Sequence, residues 1–210
     1  MSIIVTSFTI GPMGNNTYLL EDPQQKIAAI VDPSFGSKKV MDYCEKNQLK
    51  ITDIFCTHAH FDHTAGINEI SEKLDKDVRI WLHADDLPLW KMNGGADYFD
   101  FPFQIACQPT NFVVHKEQIP FGGDQMEVRL TPGHTPGHVV YYLKSQNIVF
   151  CGDLVFRQSV GRTDLEGGNH LILLQSIDSQ VKNLPDETRL LSGHGPETTV
   201  GFEKKYNPFF

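Results

Sequence analysis

Between Thr57 and Gly66 the chain reads THAHFDHTAG, which places three histidines and one aspartate within the six positions from His58 to His63. Imidazole and carboxylate are the donors that zinc and iron prefer. Any one of these side chains alone would more often be structural. Three later stretches supply the same chemistry: His134 in TPGHTPGH, Asp153 in CGD and His194 in SGHGP. His58, His60, Asp62, His63, His134, Asp153 and His194 make seven donors, more than one tetrahedral ion needs. They suit two ions if one carboxylate bridges them.

Seven donors scattered over the chain can meet only if the fold delivers them to one place. Ile51–Cys56 reads as a buried strand leading into the histidine loop, and Met126–Thr131 as a strand ahead of His134. Further strands, Asn147–Cys151 and Thr188–Ser192, precede Asp153 and His194. Strand ends along one sheet edge converge, so the arrangement is that of a built site. Gly66, Gly133, Gly152 and Gly193 flank these loops and permit close backbone approach.

The remaining pattern fills in the frame. Ile3–Ile10 and Thr17–Leu20 are β-like runs joined by GPMGNN, and Lys26–Val31 is a third. Val78–Leu82 and His138–Leu143 also read as strands. Helical periodicity marks Ser37–Asn47; Gly66–Leu74, Ala84–Met92 and Asn169–Val181 also read as helices, the last with Asn169 as N-cap. Asn93–Pro120 is poorly periodic and predicts a long loop or lid. No linker stands out, so one domain over residues 1–210 is expected, with two sheets and helices outside them.

Whole-chain properties narrow the function. The 210 residues are 40% hydrophobic and 21% charged, the balance of a chain with a real core. A net charge of −8 with no lysine/arginine run argues against nucleic acid as a partner. The opening MSIIVTSFTIGPMG lacks a basic region and a long apolar core, so no signal peptide is expected. No stretch approaches the roughly 18 apolar residues of a membrane span. Cys44, Cys56, Cys107 and Cys151 show no CxxC spacing and read as buried free thiols. These features predict a cytoplasmic protein with no membrane partner; its oligomeric state is left open.

THAHFDH, TPGHTPGH, CGD and SGHG, in that order, resemble the metallo-β-lactamase-fold hydrolases. GDLVFRQSVGRTD and the terminal GHGPETTVGFEKKYNPFF are similar to the glyoxalase II branch, the hydroxyacylglutathione hydrolases, and most to its short bacterial type. The resemblance implies an α/β, four-layer αββα sandwich. It implies that His58, His60 and His134 hold a first divalent metal, that Asp62, His63 and His194 hold a second, and that Asp153 bridges both. Zinc is the first expectation, with iron and manganese also compatible. Asp62 is the implied catalytic residue, orienting the water that attacks. The implied substrate is a small-molecule acyl thioester such as S-D-lactoylglutathione, cleaved by a metal-bound hydroxide to a hydroxy acid and a thiol.

The chain departs from the longer glyoxalase II enzymes at points that concern glutathione. It stops at Phe210, directly after NPF, without the C-terminal helices that grip glutathione in those enzymes. Arg162 matches a basic position, but Asp164 stands where a tyrosine is usual, and Pro196 replaces a second tyrosine. Arg162 is therefore a candidate for a substrate carboxylate, weighed equally against a salt bridge to Asp164. His138 is expected to support the site rather than bind metal, and His83 to open a helix. Phe99, Phe101 and Phe103 either line a substrate mouth or anchor their loop. Two other functions fit the same motifs: a mononuclear-iron persulfide dioxygenase, which GDLVFRQSVGRTDLEGG also resembles, and a non-catalytic metal-binding protein.

Overall fold

The computed structural model describes residues 3–210; the first two residues of the MSIIVTSFTIGPMG stretch lie outside them. The first sheet holds β1 (Ile4–Ile10), β2 (Asn15–Asp22), β3 (Ile27–Val31), β4 (Lys50–Phe55), β5 (Arg79–His83) and β6 (Asn111–Val113), side by side in that order. β1, β2 and β3 pair antiparallel, and β3 to β6 run parallel. In the second half come β7 (Gln118–Phe121), β8 (Asp124–Leu130), β9 (Val139–Leu143) and β10 (Ile148–Gly152). A small hairpin follows, β11 (Val155–Phe156) and β12 (Ser159–Val160), then β13 (Arg189–Ser192) and β14 (Thr198–Thr199). The second sheet is ordered β14-β13-β10-β9-β8-β7, with β10 and β13 parallel.

Side-chain alternation explains why these strands stack in layers. In β9, Val139, Tyr141 and Leu143 point into the space between the sheets, while Val140 and Tyr142 point to the outer helices. All five are buried, as a strand covered on both faces requires. Phe55 and Trp81 from the first sheet meet Tyr141 and Phe150 from the second in this middle layer. The outer face of the first sheet is covered by α1 (Lys38–Lys46), α2 (Phe61–Thr64), α3 (Gly66–Ile70) and α4 (Leu87–Lys91), through Val40, Met41, Ile67, Ile70 and Trp90. The outer face of the second is covered by α5 (His170–Gln180), with α6 (Val200–Tyr206) beside it. Asn169 caps α5 by accepting from the Ile172 amide. The result is the expected four-layer αββα sandwich.

Two expectations need correction. Asn93–Pro120 is not a continuous loop: a 3-10 segment spans Asn93–Phe99, and β6 and the start of β7 follow. Both strands are short and lie at sheet edges, where Pro120 is tolerated and three or four residues carry no readable period. The GPMGNN turn is also shorter than it reads, since Asn15 and Asn16 already belong to β2.

The core reaches directly to the sheet edge that carries the motifs. Tyr141 Oη donates to the Cys56 carbonyl at 3.0 Å, and Tyr18 Oη to the Ser192 carbonyl at 2.6 Å. Each bond ties the end of a donor-bearing strand to the opposite sheet. Cys44, Cys56 and Cys151 are buried, whereas Cys107 is half-buried, and none forms a disulfide. Burial pushes the Cys44 thiol up to about 12 and also raises the Cys56 and Cys151 thiols. A thiol reagent should therefore modify Cys107 alone in the native protein and all four cysteines after unfolding; rapid loss of a second thiol without unfolding would contradict this packing. Among the described residues no helix is long and apolar enough to cross a membrane.

Candidate metal centre

Every donor named from the sequence lies beyond a strand end on one edge of the sandwich. β4 leads to His58, His60, Asp62 and His63, β8 to His134, β10 to Asp153 and β13 to His194. The structure brings all seven together, in two groups. His58, His60 and His134 offer nitrogens within 4.8 Å of one another, as do Asp62, His63 and His194 through their own donor atoms. Asp153 lies between: Oδ1 is 3.3 Å from His63 Nε2, and Oδ2 is 3.7 Å from His134 Nε2 and 3.8 Å from His194 Nε2. Gly193 is needed here because a Cβ would sit 2.3 Å from Asp153 Oδ1.

The donor set passes a test of fit for metal. Buried polar atoms in folded proteins almost always have hydrogen-bond partners, yet His58 Nε2, His63 Nε2 and Asp153 Oδ1 have none. His60 Nδ1 and His134 Nε2 lie 2.9 Å apart, two nitrogens aimed at one point. Burial holds the His58 imidazole far below its usual pKa and that of His60 at about 3, so both are neutral and able to ligate. At His63 burial acts in the same direction, but the Asp153 and Asp62 carboxylates outweigh it and raise the pKa. Burial also opposes ionisation of Asp62, and His63 and His194 overcome it, keeping the carboxyl ionised.

A surrounding layer of hydrogen bonds orients the donors, and most of it was missed from the sequence. His134 Nδ1 donates to the Arg162 carbonyl at 2.7 Å, which leaves Nε2 as its ligating atom. Asp32, in a left-handed conformation at φ 49°, accepts from the Thr57 amide and hydroxyl and lies 3.2 Å from His63 Nδ1. Asp32, His58 and His63 also fall within 4.8 Å of one another. Both Asp32 oxygens are already engaged, so Asp32 is a support for His63 and not an additional ligand. Asn15 Nδ2 donates to Asp62 Oδ2 at 2.9 Å. Nothing local in the sequence marks it, because it begins a strand that runs antiparallel to its neighbours, whereas the metal donors follow strand ends.

Asp86 is fully buried and accepts from the Ala59 amide at 2.9 Å, the Thr135 hydroxyl at 2.8 Å and the Gly137 amide at 2.6 Å. It joins the loop of His58 and His60 to the loop of His134. His138 behaves as expected: Nε2 accepts from the Asp153 amide at 3.2 Å and Nδ1 faces the Thr131 hydroxyl at 2.9 Å. Both nitrogens are occupied, so it has none to offer a metal. His83 accepts from the Asp85 amide at the start of a helical turn.

Above the donors opens a cavity of about 460 Å³. His60, Asp62, Asp153 and His194 form its floor, with Phe61, Phe99 and Phe156 among its walls. The three candidate phenylalanines divide. Phe99 lines the cavity, while Phe101 and Phe103 pack on Phe35 and Phe61 and anchor their segment. Close approach fixes that segment: a Cβ on Gly94, at φ 66°, would lie 2.3 Å from the Phe61 amide. Arg162 is on the rim, paired with Asp164.

Two stacked sheets between helices, with histidines and aspartates gathered at one edge, define a metallohydrolase-type fold. The chain belongs to the metallo-beta-lactamase superfamily, which it matches over residues 10–194. It is 36% identical over 204 residues to the probable metallo-hydrolase YqgX of Bacillus subtilis (strain 168), covering 95% of this chain and 94% of that one. It is 31% identical to the hydroxyacylglutathione hydrolase GloC of Haemophilus influenzae, covering 88% of each. Among solved structures it resembles the BLEG-1 B3 metallo-beta-lactamase, with a TM-score of 0.88, 34% identity and coverage of 98% and 99%. TTHA1623 in a di-iron-bound form gives a TM-score of 0.86, 34% identity and coverage of 98% and 100%. ETHE1 from Myxococcus xanthus gives 0.81, 25% identity and coverage of 98% and 83%.

Proposed function

We propose that the protein is a metal-dependent thioester hydrolase of the glyoxalase II type, acting on S-D-lactoylglutathione or a related acyl thioester. The observation that carries this reading is Asp153, placed between two complete donor groups at the floor of an apolar cavity. Similarity to GloC supports it. His58, His60 and His134 would hold one divalent ion, Asp62, His63 and His194 the other, and Asp153 both; zinc, iron and manganese all accept this donor set. When bound, such a pair supplies a water of lowered pKa and polarises the substrate carbonyl.

The chain's own side chains do the rest. Asn15 Nδ2 holds Asp62 Oδ2 at 2.9 Å, so that the carboxylate is fixed where it can orient the attacking water. The aromatic walls exclude bulk water and hold the acyl thioester over the floor. A thiol leaving group, with a pKa near ~8.5, departs as thiolate and needs no strong general acid. The test is thiol release from S-D-lactoylglutathione by metal-analysed protein. Release should vanish with a chelator and return with added metal.

A second reading, a mononuclear-iron persulfide dioxygenase, uses a two-histidine, one-carboxylate subset of the same donors, a set that suits non-haem iron. Oxygen uptake on glutathione persulfide, with about one iron per chain and no thiol release from any thioester, would favour it over hydrolysis.

A further inference from the structure

The cavity walls are mostly apolar (Met13, Phe61, Phe99, Phe156, Val160 and Leu165, with Ser159), and among the described residues Arg162 is the one lysine or arginine that lines it. That guanidinium is already engaged. Arg162 Nε and Nη2 donate to the two oxygens of Asp164, each at 2.7 Å, in the two-pronged geometry that best satisfies a carboxylate. The two residues stand two positions apart in one irregular segment, so an incoming carboxylate competes with one held permanently at high effective concentration. Displacing Asp164 would also leave it unpaired beside the newcomer, on a chain of net charge −8. The Arg162 carbonyl, meanwhile, anchors His134, so the main chain of this segment serves the donors while the side chain serves the rim.

Resting on the thioester-hydrolase reading, we infer that the cavity takes an acyl thioester whose cavity-borne part is apolar and uncharged, and that Asp164 sets this preference by occupying Arg162. Thiols that carry carboxylates, glutathione among them, are then poor partners compared with a neutral thiol carrying the same acyl group. Asp164 is a specificity residue acting through Arg162; it is solvent-exposed and lies outside the donor cluster.

The experiment compares kcat/KM of the metal-loaded protein for S-D-lactoylglutathione and for the same acyl group on N-acetylcysteamine, which has no carboxylate. The wild type should favour the neutral thioester by about tenfold or more, a difference of one decade for each ~1.4 kcal/mol of lost pairing. Asp164→Asn should raise the glutathione-to-neutral ratio by about tenfold, through KM and not kcat. Adding Arg162→Ala to Asp164→Asn should return the ratio to its wild-type value. In parallel, calorimetry measures binding of N-acetyl-S-hexylglutathione and of its uncharged diethyl ester, with no turnover required. The wild type should bind the diester more tightly, and Asp164→Asn should narrow the gap. A wild type that prefers the glutathione forms, or a ratio that Asp164→Asn does not move, overturns the inference. If no thioester is hydrolysed, the hydrolase reading fails, and the binding comparison still decides whether the cavity rejects carboxylates.

Discussion

Replacing Asp153 by alanine should lower thioester hydrolysis by roughly 10³-fold or more and leave the protein unable to retain two metals per chain. The size follows from what the carboxylate alone can do: ligation by a shared carboxylate supports several kcal/mol of transition-state stabilisation, and each 1.36 kcal/mol is a decade in rate. Asp153 reaches both groups, with oxygens within 3.8 Å of His63, His134 and His194. Burial alone would favour its protonated form, but His63, and then His134 and His194, hold its pKa well below the usual carboxylate range. Its negative charge is therefore part of the native arrangement. Asp153→Asn, which keeps the shape and removes the charge, should lose activity nearly as far. Metal analysis of each variant beside its kinetics is the check. A folded Asp153→Ala protein with two metals and undiminished turnover would refute this assignment.

The second large effect should come from Asp86→Ala, which touches no donor directly. It would strand the Ala59 amide, the Gly137 amide and the Thr135 hydroxyl in a fully buried setting. An unsatisfied buried group costs about 1–3 kcal/mol, so a loss of about 3–5 kcal/mol is expected if part of the site relaxes. For a chain of this size that corresponds to a drop in Tm on the order of 10 °C. Metal affinity should fall as well, by about 10–100-fold, because the loop of His58 and His60 would no longer be tied to that of His134. Asp86→Asn retains a carbonyl oxygen for part of the network and should fall between alanine and wild type in both measurements. Thermal unfolding of metal-free protein separates the packing loss from the metal loss. Equal melting of Asp86→Ala and wild type would show that the three donors find other partners.

These two aspartates mark the boundary of what could be read from the chain. Asp153 was legible because a glycine-flanked strand end with a ligand-type side chain is a local pattern, and four such ends with seven donors point to one edge. The αββα layering was legible for a similar reason: short apolar runs such as β9 and the helical periodicity of α1 are set by short-range geometry. The Asn169 cap, an interaction within four residues, was equally readable.

Asp86, Asp32 and Asn15 were not, because each acts across a gap that only folding closes. Asp86 lies 27 residues from Ala59 and 51 from Gly137, and its HADD context suggests nothing beyond a helix start. The short edge strands β6 and β7 were invisible for a related reason: their order comes from pairing with neighbours, not from their own three or four side chains. The state of Arg162 belongs here too. The chain carries an arginine two positions before an aspartate, and both a substrate contact and an internal ion pair were compatible with that. Only the folded course of the segment, which brings the two side chains face to face on the rim of an apolar cavity, decided that the pair forms. By itself the sequence determined which side chains can bind metal and along which edge they gather. Tertiary structure decided which buried partners orient them and what kind of wall stands above them, because those properties depend on distances between segments that are far apart in the chain.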